Sequence, residues 1–320
     1  MCIFPVRVHK ASPYLLLASL GLAACGPPFE RSTIEVVDPR FEDLLPAQAR
    51  VVRLAGGMQA VEGPVWSDDE EGFLVLSDMD ADRLLRWDAR AGLTVLREPA
   101  GSPNGNARDA RGRLVTCEQA SGRVVRESDG LLEVLAERYE GRRLNSPNDL
   151  ALRSDGTIWF TDPSYGLGAR PRELAGDYVF RLDPQSGELA VVADDFERPN
   201  GICFAPDESV LYVSDSGAPC HVRAFDVSPA GELSHGRVFL STAPAAPDGV
   251  CCDSQGRLYV AAEDGLHVLD ADGRPLGRIR PPEAVRNVCF GGPGRRTLFL
   301  AAGRSLYSLE LVAAGTLGGR

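Results

Sequence analysis

Six short segments of the chain carry an oxygen-bearing side chain in the same local setting. They are Glu62-Gly63-Pro64, Asn104-Gly105-Asn106, Asn148-Asp149-Leu150, Asn200-Gly201-Ile202, Asp248-Gly249-Val250 and Asn287-Val288-Cys289. Four of the leading residues are amides and two are carboxylates. Brought together, they offer the oxygens that a hard cation accepts, and Ca²⁺ takes such ligands readily. Two carboxylates match the charge of one divalent ion, and the amides add oxygens without charge. Neither His nor Cys stands at any of the six positions, which argues against zinc as the native ion. Pro-Asn-Gly and Pro-Asp-Gly are also ordinary turn sequences. The signal is therefore their recurrence in register, not any one of them.

Side chains spread from position 62 to position 287 meet only if a repeated element carries them around one axis. Each head residue is followed by an apolar stretch, a turn with Asp or Gly, and a second apolar strand. Examples of the turn are Asp109-Ala110-Arg111-Gly112, Ser154-Asp155-Gly156 and Asp253-Ser254-Gln255-Gly256. The second strands include Phe73-Leu74-Val75-Leu76, Thr157-Ile158-Trp159-Phe160 and Arg257-Leu258-Tyr259-Val260, and each ends in a small or acidic residue. Third strands such as Tyr178-Val179-Phe180-Arg181-Leu182 follow. The unit recurs about every 40 to 50 residues with no helical pattern inside it, the period of a four-stranded propeller blade. The pattern predicts an all-β, six-bladed β-propeller over residues 56–313. A pair of β-sandwiches would not repeat one motif six times. In a propeller the innermost strand of each blade lines the channel, so Glu62, Asn104, Asn148, Asn200, Asp248 and Asn287 fall on one ring. Polar groups that converge there must be satisfied.

Composition agrees with a folded chain and removes several classes of function. Hydrophobic residues make up 44% and charged residues 25% of the 320. The net charge is −11, the wrong sign for a nucleic-acid binder. The one lysine is Lys10, which leaves no place for a phosphate-binding P-loop. His-Glu-x-x-His, Gly-x-Ser-x-Gly and Cys-x-x-Cys do not occur, so zinc-peptidase, α/β-hydrolase and thioredoxin readings lack their signatures.

Residues 1–24 carry Arg7 and Lys10, no acid, and an apolar run of eleven residues from Tyr14 to Ala24. That run is too short to span a bilayer as a helix and has the length of a signal-peptide core. It ends in Leu22-Ala23-Ala24-Cys25, which resembles the bacterial lipobox. The expectation is a signal peptide over 1–24, lipidation of Cys25, a lipidated N-terminus and tether over 25–55, and a tail over 314–320. Such a chain is an exported lipoprotein on a membrane facing the periplasm or cell exterior. Its acidic charge leaves the lipid alone to hold it there. Six of the eight cysteines remain in the mature chain. Cys117, Cys203 and Cys289 sit in apolar runs as small buried hydrophobes do, and no essential disulfide is expected.

Several segments together resemble the SMP-30/gluconolactonase/LRE-like family over about residues 58–311. They are Leu144-Asn145-Ser146-Pro147-Asn148-Asp149, Thr161-Asp162-Pro163-Ser164-Tyr165-Gly166, Arg198-Pro199-Asn200-Gly201, Pro247-Asp248-Gly249 and Cys289-Phe290-Gly291-Gly292. The Asn104-Gly105-Asn106 segment is closest to the bacterial gluconolactonase branch. The resemblance implies a six-bladed propeller with one divalent metal, usually Ca²⁺, in its channel. It places the metal ligands on Glu62, Asn148, Asn200 and Asp248 and the acid/base role on Asp248. Asn104 and Ser146 are the expected substrate contacts. Where related sequences often read Cys-Glu-His, this chain has Cys117-Glu118-Gln119, which bears on specificity if that position meets substrate.

The implied reaction is hydrolysis of a sugar lactone such as gluconolactone by metal-activated water, in a monomer. The ion polarises the lactone carbonyl and stabilises the developing oxyanion. Asp248 takes a proton from water and returns it to the leaving alkoxide. Two other functions fit the scaffold. A related hydrolase for other esters or organophosphates would differ only in its pocket loops. A non-catalytic, membrane-anchored binding propeller would have no need of Glu62 and Asp248.

Overall fold

The computed structural model describes residues 7–10, 32–69 and 71–316. They form a six-bladed β-propeller. Blade 1 comprises Val61–Ser67, Phe73–Asp78, Arg83–Asp88 and Gly92–Arg97 from axis to rim. Blade 2 runs from Pro103–Arg108 to Leu131–Ala136, blade 3 from Leu150–Leu152 to Leu189–Phe196, and blade 4 from Pro199–Phe204 to Leu233–Ser241. Blade 5 starts at Pro247–Cys252 and blade 6 at Val285–Gly291. Neighbouring strands within each blade are antiparallel.

The core is not at the centre. Six hydrophobic clusters lie in the six seams between blades. Strand alternation builds them. In blade 3, Ile158 and Phe160 face Val115 and Val124 of blade 2, while Trp159 faces Ile202 and Leu211 of blade 4. The other seams repeat the arrangement: Leu74 and Leu76 with Phe299, Tyr212 with Leu258, Tyr259 with Phe290, and Val75 with Leu114. Apolar burial is thus completed away from the axis, and the axis is left to polar side chains.

Acids that end the second strands hold the loops leading into the inner strands. Asp78 accepts the Gln59 and Ala60 N–H groups at 2.8 and 3.0 Å. Asp162 accepts Asn145 N–H at 2.8 Å. Asp215 accepts Glu197 and Arg198 N–H at 3.0 and 2.9 Å. Each fixes the approach to the next head residue.

The segment assigned to a tether is largely built into the propeller. Val52–Gly56 pairs with Ser305–Glu310 as the outermost strand of blade 6 and closes the ring. Thr33–Val36 pairs with Pro275–Arg280 and widens blade 5. The 3₁₀ turn Pro39–Leu44, capped by Asp38, buries Phe41 and Leu44 against the same blade. Gly277 leaves the room for Phe41, since a Cβ there would stand 2.1 Å from its ring. Residues 7–10, inside the segment assigned to the signal peptide, pair in parallel with Thr33–Val36. Cys25 lies outside the described residues. The assigned tail also begins inside the fold, for Gly315 bridges to Asp253 and donates to the Arg295 carbonyl at 2.8 Å. The six cysteines among the described residues are free thiols.

Glycines follow four of the heads because adjacent inner strands nearly touch. A Cβ on Gly201 would lie 2.4 Å from the Asp248 carbonyl oxygen and 2.7 Å from the Gly249 Cα, both backbone atoms. Gly201→Ala is therefore expected to push apart blades 4 and 5. The expected cost is about 1–3 kcal/mol, as for other overpacked sites, read as a lower midpoint in thermal unfolding. An unchanged midpoint would show that the inner strands tolerate separation.

Candidate functional site

The heads stand on β-bulges. In blade 2 the ladder pairs Pro103 with Glu118 and then Asn106 with Thr116, which leaves one extra residue on the inner strand. The same shift occurs between Glu62 and Val65, Pro199 and Ile202, Pro247 and Val250, and Val285 and Asn287. A bulge frees a residue from the ladder and re-aims its side chain. In blades 2, 4 and 5 the head lies inside the bulge, and in blades 1 and 6 it is the paired residue at the bulge's edge. Blade 3 is built otherwise, with Asn148 N–H donating to the Thr161 carbonyl at 2.9 Å just ahead of its inner strand.

Hydrogen bonds between blades lock the ring. Ser77 donates to the Asn104 carbonyl at 2.6 Å, Thr161 to that of Asn200 at 2.7 Å, and Ser214 to that of Asp248 at 2.7 Å. Gly105 N–H reaches the Asn148 carbonyl at 2.7 Å. The Asn106 amide joins blades 1 and 2 through the Gly63 carbonyl at 2.8 Å. Backbone carbonyls are thus satisfied, and the head side chains are left for something else.

Those side chains divide into two groups. Asn287 is spent on the protein, accepting Val288 N–H at 2.7 Å and donating to Asp149 at 3.3 Å. Among the described residues the Asn104 and Asn148 amides make no side-chain hydrogen bond. Glu62 is only 4% exposed and accepts one bond, from the adjacent Gly63 N–H at 3.1 Å. Asn200 donates to Ser216 at 2.9 Å and lies close enough to Asp248 to favour its charged form. Their free polar atoms therefore remain available to a ligand in the channel.

The electrostatics agree. Burial, then the neighbouring Asp248 and Asp149, push the Glu62 carboxyl well above the usual range. Burial pushes Asp248 up to about 7, against the opposing charge of Arg286. Asp149 rises to about 6, again through burial. Confined carboxylates with unpartnered amide oxygens beside them are a donor set short of a cation. Glu62, Asn148, Asn200 and Asp248 fit a hard divalent ion in charge and in donor type.

Ser146, the other expected substrate contact, is held by the protein itself. It is 0% exposed, its hydroxyl donates to the Pro163 carbonyl, and it accepts Gly166 N–H at 3.0 Å. It positions the Tyr165–Leu167 turn over the ring. Gln119 is buried beside it, within 3.0 Å of where a Gly166 Cβ would stand.

Three residues at the site had no role assigned from the sequence. Asp149 occupies the position after a head where four blades have glycine, a break in the pattern visible beforehand. Tyr165 is 41% exposed over the whole residue, while its hydroxyl end is enclosed near the ring carboxylates. Its hydroxyl is held above the ordinary range by burial and by Asp248, Glu62 and Asp149. Arg286 precedes the sixth head. Beyond the ring, toward the turns after the inner strands, the channel widens into a cavity of about 1,100 Å³. Asp149, Asn287, Cys203, Cys251 and Cys289 are among its lining residues.

Comparison with known proteins follows the same lines. A family model described as the SMP-30/Gluconolactonase/LRE-like region matches residues 60–304. The chain is 31% identical to a gluconolactonase of Zymomonas mobilis over 309 residues, covering 87% of this chain and 85% of that one. It is 31% identical to the pentonolactonase XacC of Haloferax volcanii, covering 75% and 80%. The solved structure of a gluconolactonase from Xanthomonas campestris superposes with a TM-score of 0.83 at 36% identity, covering 91% of this chain and 99% of that one.

Proposed function

The chain belongs to the SMP-30/gluconolactonase/LRE-like family, and on that premise we propose that it is a metal-dependent lactone hydrolase acting on sugar lactones such as gluconolactone. The observation that carries this reading is the buried carboxyl pair Glu62 and Asp248 on one ring with the Asn148 amide, which makes no side-chain hydrogen bond among the described residues. Glu62, Asn148, Asn200 and Asp248 would hold one divalent cation, Ca²⁺ by its preference for carboxylate and amide oxygens. Bound there, the ion supplies Lewis acidity toward the lactone carbonyl.

The remaining work falls to the chain. Asp248 has two oxygens, so it can hold with one and exchange a proton with the other. Burial raises its pKa to about 7, and a cation beside it would lower that value and keep it ionised, ready to accept a proton, at neutral pH. It removes a proton from the attacking water and returns it to the ring oxygen that leaves the acyl carbon. Asn104 is placed to orient substrate hydroxyls. The Tyr165 turn, pinned by Ser146, covers the mouth and limits water. No activated Ser or Cys is required.

The test is hydrolysis of gluconolactone, a simple alkyl lactone and a phosphotriester with added Ca²⁺. Sugar lactone turnover should dominate. Turnover of the phosphotriester alone would replace this reading with an organophosphate hydrolase, and turnover of none would favour a binding propeller.

We also propose a monomer anchored by a lipid on Cys25. The support is the apolar run ending in Leu-Ala-Ala-Cys, and a diacyl anchor holds far better than a single chain. Cys25→Ser should move the protein from the membrane to the soluble fraction or leave it unprocessed. Unchanged membrane fractionation would dispose of the anchor.

A further inference from the structure

The inner strand of blade 6, Val285–Gly291, runs between the inner strands of blades 5 and 1. Those two neighbours carry the only carboxylates among the six heads, Asp248 and Glu62. Packing on both flanks is tight. A Cβ on Gly249 would stand 2.3 Å from the Asn287 amide carbon, and one on Gly291 would stand 2.5 Å from the Trp66 ring.

Arg286 lies on this strand immediately before Asn287. The ladder pairs Val285 with Ala302 and Asn287 with Ala301, so Arg286 is the extra residue of the bulge. The corresponding positions in blades 1 to 5 hold Val61, Pro103, Pro147, Pro199 and Pro247. One guanidinium therefore stands where every other blade has an apolar residue. It is half-buried. Among the described residues it makes no hydrogen bond and no ion pair. Its charge nevertheless acts on both Glu62 and Asp248, which puts it at the ring and not at the rim.

A planar fork of donors without a protein partner, held beside a reaction site, is a recognition element. We infer that Arg286 determines substrate specificity, and that the preferred substrate is a sugar lactone bearing its own anionic substituent, foremost a carboxylate. The inference rests on the lactonase reading above. A neutral aldonolactone offers the fork only hydroxyls. The free carboxylate of an aldaric acid lactone matches it in both geometry and charge. A sulfonate or phosphate presents similar oxygens and is ranked by the same assay.

The experiment compares glucono-1,5-lactone, which is neutral, with glucaro-1,4-lactone, which is anionic, for wild type, Arg286→Gln and Arg286→Lys. Arg286→Gln should lower kcat/KM on the anionic lactone by about 10- to 100-fold, the worth of a charged hydrogen bond. The loss should fall mainly in KM and exceed that on the neutral lactone by at least 10-fold, since the charge felt by Glu62 and Asp248 is lost for both substrates alike. Arg286→Lys keeps charge but not the fork, so it should recover part of the loss, and it carries the test should the Gln variant misfold. Added salt should raise KM for the anionic lactone only. Equal losses on both lactones, or none on either, would overturn the assignment. If wild type opens neither lactone, the lactonase reading itself fails. Calorimetric binding of glucarate then decides this point: affinity weakened at least 10-fold in Arg286→Gln supports an anion site, and equal affinity overturns it.

Discussion

Asp248→Asn is expected to lower lactone turnover by about 10²- to 10⁴-fold, the usual contribution of a positioned general base. Raising Ca²⁺ should not restore it. The substitution keeps an oxygen donor, the shape of the side chain and the bulge beneath it, and removes the proton acceptor together with one negative charge; excess Ca²⁺ offsets the weakened affinity but not the missing base. Glu62→Gln should behave differently. Glu62 stands alone on blade 1 with one bond, from Gly63 N–H, and its task is to hold charge in a buried place. Its loss should weaken metal affinity, and excess Ca²⁺ should recover part of the rate. The deciding measurement is turnover against Ca²⁺ concentration for both variants. Recovery of wild-type turnover by Asp248→Asn at high Ca²⁺ would make Asp248 a ligand only, and Tyr165 and Asp149 would be the next bases to examine.

Chelation should abolish turnover, leave the propeller folded and make its stability depend on pH in an unusual direction. Most folded carboxyls have lowered pKa values and stabilise as pH rises. Here burial holds Asp149 at about 6 and Asp248 at about 7, with Glu62 also raised. A folded-state pKa above the unfolded value means that the native state binds more protons between pH 4 and 7. The ring's contribution is therefore complete in acid and is lost as pH rises through 6 and 7. Half-buried His267, whose pKa is lowered, pulls the other way, so the informative quantity is the difference between Ca²⁺-loaded and chelated protein. That difference in Tm should widen from pH 5 to pH 8 by on the order of 5 °C. Calorimetry in EDTA and in Ca²⁺ measures it. A Ca²⁺ shift that is the same at both pH values would show that the carboxylates are not confined as described.

Much of this site could be read beforehand because a closed ring converts sequence period into spatial neighbourhood. Glu62, Asn148, Asn200 and Asp248 are far apart in the chain, yet equivalent positions in six repeats must share an axis. The bulges could not be read, since a bulge is a property of two strands in register and appears on one strand only as a glycine or proline. The hydrogen bonds of Ser146 could not be read for a related reason: its hydroxyl meets the loop between Asp162 and Gly166, whose path depends on tertiary packing. Residues 25–55 were read as a tether because the stretch is Pro-containing and interspersed with polar residues. Ile34, Val36, Phe41 and Leu44 become a set only when the outer face of blade 5 is there to receive them.

Closure of blade 6 has a consequence for the order in which the molecule is made. Its rim strand, Val52–Gly56, leaves the ribosome before any blade exists, and its partner, Ser305–Glu310, emerges after the other five are complete. Contacts of such sequence separation form late and slowly, because loop closure must be met before they reward the chain. Until then blades 1 and 5 present open seams, with Leu74 and Leu76 on one side and Leu266 and Val268 on the other still lacking cover. The nascent propeller is an open arc, and Glu62 and Asp248 sit at its two ends. The two carboxylates become neighbours only when the final strands arrive, so the proposed cation site and the closed ring come into being in the same step.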